Sequence, residues 1–198
     1  MRNATRQQAG DHGCRMALIM CDLRGKLETM TQERDVSRHP ALLAALTLEC
    51  PNTIGLADSL HPIERYTCLM HALAFTQKPE YIAIAERGLG SVFAGRRFAH
   101  WLLDESLLNE KTREEARDGD LVFYFDDEDQ FRHAGLMIGG RRVRSKWGTG
   151  HLVEHELFEV PESYGTTLRF FKKPSYDEAY GAFRRFAEEC GMLLEETA

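Results

Sequence analysis

Between residues 117 and 121 the chain changes its period, and that change limits the folds open to it. Asp118-Gly119-Asp120 reads as a turn, and Leu121-Val122-Phe123-Tyr124-Phe125 is an unbroken apolar, aromatic and β-branched run. Such a run marks a strand buried on both faces. The acidic Asp126-Asp127-Glu128-Asp129 that follows must be a solvated loop. A second strand is expected over 131–138, a two-residue hairpin turn at Gly139-Gly140 and a third strand over 141–147. Gly148-Thr149-Gly150 breaks the pattern; 151–160 holds a further short strand, and 167–171 another before Pro174.

Upstream of the change the period is helical. Tyr66, Leu69, Met70, Leu73 and Ala74 fall at i, i+3, i+4, i+7 and i+8, a stripe that predicts a helix over 66–75 with one buried face. Segments 79–86 and 93–108 read the same way, the latter running into an exposed charged stretch to Arg117. At the other end 176–189 predicts an amphipathic helix through Ala179, Tyr180, Phe183, Phe186 and Ala187. Helices first, then an antiparallel meander, place the chain in the α+β class.

Residues 1–57 read differently. The first eleven are polar and rich in Gln and Arg, and short helices are expected over 15–30 and 40–48 before Pro51-Asn52-Thr53 breaks the chain. We read 1–57 as a tail and helical extension packed on a main domain of 58–198. A total of 198 residues suits one domain, and 43% hydrophobic residues suffice for a core. With 25 Lys+Arg against 31 Asp+Glu the formal charge is -6, the opposite of a phosphate-coating nucleic-acid binder. The apolar run at 16–21 is too short for a signal-peptide core or a membrane span, so a cytoplasmic protein is expected, with unconventional export left open. Five scattered cysteines do not form a disulfide framework, and all are expected as reduced thiols. No second pair joins Cys68 and His71 to make a zinc site.

Three residues could carry chemistry together. Cys68 opens a helix, where unpaired N–H groups favour a thiolate. His133 lies at the start of a strand, where its ring can face a helix packed there and serve as base. Ser145 is expected roughly opposite His133 across the hairpin and could hold the imidazole in its working tautomer. Lys146, His151, Glu154 and His155 compete for that third place. Tyr66 could offer a phenolic donor to an oxyanion beside the Cys68 N–H. Arg141, Arg142, Arg144 and Lys146 form a basic stretch, either a lure for an acidic substrate or the solvated face of an edge strand. Gly88-Leu89-Gly90-Ser91 lacks the lysine and preceding strand of a nucleotide-binding loop.

The run Gly119-Asp120-Leu121-Val122-Phe123-Tyr124-Phe125, followed by His133-Ala134-Gly135-Leu136-Met137-Ile138-Gly139, resembles the paired strands of the NlpC-like branch of the papain-like cysteine hydrolases, which includes cell-wall peptidases and CHAP amidases. In that family a Cys at a helix N-terminus comes first, a His opens a later strand and a polar third residue lies on the next strand. Cys68, His133 and Ser145 fall at those places. Tyr66-Thr67-Cys68-Leu69, with Ser145-Lys146-Trp147-Gly148, His155 and Tyr164-Gly165, is also similar to an uncharacterised bacterial subgroup of the superfamily. The resemblance spans 66–171 and departs from the cell-wall enzymes' Asp-Cys-Ser-Gly in carrying Thr67-Cys68-Leu69-Met70.

What the resemblance implies is a papain-like, NlpC-type core with an N-terminal extension and a C-terminal helix. It also implies a cysteine peptidase- or amidase-like hydrolase, or an acyltransferase, acting on an amide, isopeptide or thioester of a peptide or acyl-amide substrate. No metal or organic cofactor is implied. Two alternatives stand beside it: a catalytically silent member of the fold that binds a partner, and a secreted effector with cell-wall or host-protein amidase activity.

Overall fold

A computed structural model describes residues 21–62, 66–77, 81, 93–148 and 150–191. The architecture is α+β. Seven strands, β1 Gly55–Ala57, β2 Glu110–Lys111, β3 Leu121–Phe125, β4 Phe131–Met137, β5 Arg142–Lys146, β6 Leu152–Glu156 and β7 Thr167–Phe171, form one antiparallel sheet in the order β1-β6-β5-β4-β3-β7-β2. The described helices are α1 Leu23–Thr31, α2 His39–Glu49, α3 Cys68–Ala72, α4 Arg96–Asp104 and α5 Tyr176–Glu189.

The apolar run 121–125 forms a strand buried along its whole length, flanked by β4 and β7. Its side chains alternate between two cores. Leu121, Phe123 and Phe125 pack with α3, α4 and α5 through Leu69, Met70, Phe98, Leu102, Phe183 and Phe186. Val122 and Tyr124 pack on the other face with Leu27 and Met30 of α1 and Leu43 and Leu46 of α2. The sheet is therefore covered on both sides, which is why the interior strand β3 reads as a continuous apolar run.

Several elements differ from expectation for local reasons. The helix expected over 66–75 spans only Cys68–Ala72, because Ala74 takes a positive φ of 62° and a 3-10 turn, Phe75–Gln77, follows. The helix expected over 79–86 lies, except for Tyr81, outside the described residues. Glu110–Lys111, expected within an exposed charged stretch, is an edge strand on β7, and Gly55–Ala57 adds the opposite edge on β6. The hairpin after β4 takes three residues, Gly139-Gly140-Arg141, not two: Ile138 donates to the Arg142 carbonyl at 3.0 Å, and both glycines have positive φ. The basic stretch is not an edge. β5 lies between β4 and β6, and Arg144 makes a two-pronged contact with Glu154 of β6 at 2.9 and 2.5 Å.

The cysteines are also corrected. Cys21 and Cys50 are joined as a disulfide, with Cα atoms 5.7 Å apart, because α1 and α2 pack together and bring the start of one against the end of the other. Cys68 and Cys190 are the free thiols among the described residues. Among those residues no helix is long and apolar enough to cross a membrane.

Candidate active site

Cys68 owes its place to Thr67. The Thr67 hydroxyl accepts from the Met70 N–H at 3.3 Å and donates to the Ala94 carbonyl at 3.0 Å, which starts α3 at Cys68 and fixes it to the loop before α4. The β4–β5 ladder ends at Gly135 and Ser145, and α3 lies against both strands. There the N–H of Ala134 is near enough to act on the Cys68 thiol. Cys68 is half-buried as a residue, but its thiol is desolvated. Burial pushes that thiol up from its ordinary pKa; the N–H groups of Ala134, Leu69 and Cys68 itself and the charge of Lys146 act against the rise.

His133 is aimed by a β-bulge. Tyr124 pairs with His133 and Phe125 with Phe131, so Arg132 is an extra residue on β4. It is held outside by Asp126, whose carboxylate accepts from its Nε at 2.6 Å. The bulge sends Phe131 into the core with Phe123 and Phe125 and His133 to the opposite face, the re-aiming such bulges produce. His133 is 1% exposed, stacked on Tyr164 with ring centroids 4.0 Å apart and 20° between planes, and 5.5 Å from the Tyr124 ring. Its Nε2 has no hydrogen-bond partner. Burial, with the fields of His155, His71 and Lys146, holds it well below its ordinary pKa. The resting groups are a neutral thiol and a neutral imidazole.

The candidates for the third position lie elsewhere than opposite His133. Ser145 pairs with Gly135, where a Cβ would come within 2.4 Å of a Val143 methyl carbon. The Ser145 hydroxyl contacts His155 Nε2 at 2.8 Å and accepts from the Trp147 indole N–H at 3.1 Å. His155 Nδ1 is 2.7 Å from the Glu156 carbonyl. A carbonyl can only accept, so Nδ1 carries the proton, Nε2 accepts and the Ser145 proton is committed to His155. Lys146 points the other way: its Nζ donates to the Gly148 carbonyl at 2.6 Å and lies 5.1 Å above the Tyr66 ring. Glu154 is taken by Arg144, and His151 Nε2 contacts the Val36 carbonyl at 3.0 Å. The Tyr66 phenol is hydrogen-bonded to Ser59 at 2.6 Å.

Two residues gain weight that spacing alone did not assign them. Tyr164 stacks on His133, and its phenol is pushed up by burial and by the nearby Cys68, with the Gly148 N–H acting against the rise. His71, one turn after Cys68, has a buried Nε2 without a partner and is held at about 4 by burial and by Arg144, Lys173 and Lys146. Among the described residues no three His, Cys, Asp or Glu side chains are grouped to hold a metal ion.

No curated protein matches the chain, and no solved structure does. One family model matches, described as a domain of unknown function, DUF7689, over residues 61–172, more than half of the 198. That span contains α3, the bulged β4 and the Tyr164 turn. The chain thus belongs to the DUF7689 family.

Proposed function

We propose that this domain is a thiol-dependent hydrolase or acyltransferase of papain-like, NlpC-type architecture, with Cys68 as nucleophile and His133 as base. One observation carries the reading: α3, which opens at Cys68, packs against β4, and the N–H of Ala134, the residue next to His133, acts on the Cys68 thiol, so two groups 65 positions apart in sequence are brought to one stretch of β4. A neutral imidazole with an unpartnered nitrogen can accept a proton. The thiol gives its proton to His133 as sulfur adds to the substrate carbonyl. The C–N or C–S bond then breaks, and His133 passes the proton to the leaving amine or thiol. Water or an acceptor amine finally removes the acyl group from sulfur. Depressing the pKa of the base and raising that of the nucleophile makes the first transfer uphill at rest, so substrate binding must supply the difference.

The test is acylation followed by intact mass. Incubation with p-nitrophenyl acetate should add one acetyl group, mapped to Cys68, that is absent in Cys68→Ser and forms at least tenfold more slowly in His133→Ala. An adduct on Cys190, or one indifferent to His133, overturns the reading.

A second reading, a silent fold that binds a partner, is favoured by one fact: Ser145 and His155 are bonded to each other. Absence of any Cys68 adduct with acyl esters and thioesters would select it.

A further inference from the structure

We propose that Tyr164 is the positioning residue for His133, and that helix α1, through Arg24 and Glu28, holds it there. The proposal concerns the same pair as the hydrolase reading. Its geometry stands on two observations that do not involve Cys68.

The first is how His133 is held. Its Nε2 makes no hydrogen bond, while the ring lies nearly flat on Tyr164 at 4.0 Å, with Tyr124 of β3 beside it. Lys146 of β5 acts on it through its charge, and His155 of β6 and His71 of α3 add theirs once protonated. A ring without a bond at that nitrogen takes its orientation from the surface it lies against, and here that surface is Tyr164.

The second is how Tyr164 is held. It ends a 3-10 turn, Glu162–Tyr164, that has no side-chain cap of its own. The guanidinium of Arg24 supplies what the turn lacks: its Nε donates to the Val160 carbonyl at 3.3 Å, and one terminal nitrogen reaches the carbonyls of Pro161, Glu162 and Gly165 at 3.1, 3.2 and 2.7 Å. One helical turn on, the Glu28 carboxylate accepts from the Ser163 N–H at 3.0 Å. Arg24 satisfies carbonyls and Glu28 an N–H, so α1 grips the backbone of the turn on both kinds of group. Gly165 makes the close approach possible: at φ 89°, a Cβ there would sit 2.1 Å from the Phe125 carbonyl oxygen.

Arg24 and Glu28 lie outside the family match at 61–172. The segment that fixes the histidine's partner is thus separate from the segment that carries Cys68 and His133, and undocking of α1 would release Tyr164 from His133.

The readout is the His133 ring-proton resonance in the full chain, with histidines labelled and assigned by a His133→Gln control. In the wild type the stack on Tyr164 should shift it upfield of an exposed histidine. Tyr164→Phe, which keeps the ring, should preserve that shift, whereas Tyr164→Leu should abolish it. Arg24→Ala should move the resonance downfield and raise the pH at which it titrates, and Arg24→Lys should recover part of both. Circular dichroism establishes that each variant is folded. Should Arg24→Ala not fold, Glu28→Ala is read in its place and should give a smaller downfield move. A folded Arg24→Ala or Glu28→Ala with an unmoved resonance overturns the role of α1, and an unmoved resonance in folded Tyr164→Leu overturns the proposal whole. Movement as described in a chain whose Cys68 never acylates would sustain the positioning and sink the hydrolase reading.

Discussion

Three histidines among the described residues, His71, His133 and His155, are held below their ordinary pKa, and that has a consequence for stability whatever the chemistry. His155 and His71 are each held at about 4, and His133 is depressed as well, with burial the leading cause in all three. In the unfolded chain each returns to ~6.5. As pH falls from there toward 4 the unfolded state binds protons that the native state refuses, so stability is fully present above ~6.5 and is lost as pH drops through that window. For His155 alone the depression corresponds to on the order of 3 kcal/mol by pH 4. The urea midpoint should therefore fall between pH 7 and 4.5, and His155→Gln should flatten that fall even if it lowers the midpoint at pH 7. A midpoint with equal pH dependence in both proteins would rule this out. Cys68 and His133 could be singled out as residue types in sequence, because a thiol opening a helix and a histidine opening a strand are local features. The environment that leaves both neutral is not local; it comes from α3, β5, β6 and the Tyr164 turn closing together.

At the scale of elements, what was legible is what repeats. The run at 121–125 is long and apolar enough to identify β3 unaided, and Gly139-Gly140 marks the hairpin. The register across that hairpin was not legible, since a loop of three residues instead of two moves every pairing by one. Ser145 accordingly faces Gly135, two residues along β4 from His133, and its hydroxyl is bonded to His155. The bulge at Arg132 was hidden for a similar reason: one inserted residue leaves no period to detect, yet it decides which face His133 occupies. Strands of two and three residues, β2 and β1, are too short to show alternation. The Tyr164 turn offers a sharp test of element geometry. Gly165→Ala combines a positive φ with a clash against main chain, the Phe125 carbonyl, and backbone cannot swing aside as a side chain can. The cost should be ~2 kcal/mol or more, at the high end for such positions. Thermal melts read it directly, and a change within ~0.5 kcal/mol, the scale of an inert surface substitution, would show the turn to be compliant.

The whole molecule is a sheet between two helical layers, and the layers differ in origin. α3, α4 and α5 cover one face; of these, α3 and α4 lie within the family match and α5 follows it. The other face, bearing Val122, Tyr124, Met137, Val143 and Trp147, is covered by α1 and α2, which precede the match and are tied to each other by Cys21–Cys50. Sequence reading separated residues 1–57 as an extension because its composition differs, but composition could not show that this extension closes the core. Leu27, Met30, Leu43 and Leu46 are all buried there. Each contributes ~1.5–3 kcal/mol by leaving water. Together they amount to about as much as the roughly 5–15 kcal/mol by which a whole domain is stable. Removing 1–57 also strips β1 from β6 and exposes an apolar sheet face larger than a soluble monomer tolerates. A chain beginning at residue 58 should therefore lose its cooperative thermal transition and bind the dye ANS strongly, although it keeps the entire family match, Cys68, His133 and Tyr164. Were that shortened chain to melt cooperatively near the full-length temperature without binding dye, the α1–α2 layer would be an accessory, and the grip of Arg24 on the Tyr164 turn would have to be dispensable to the fold it touches.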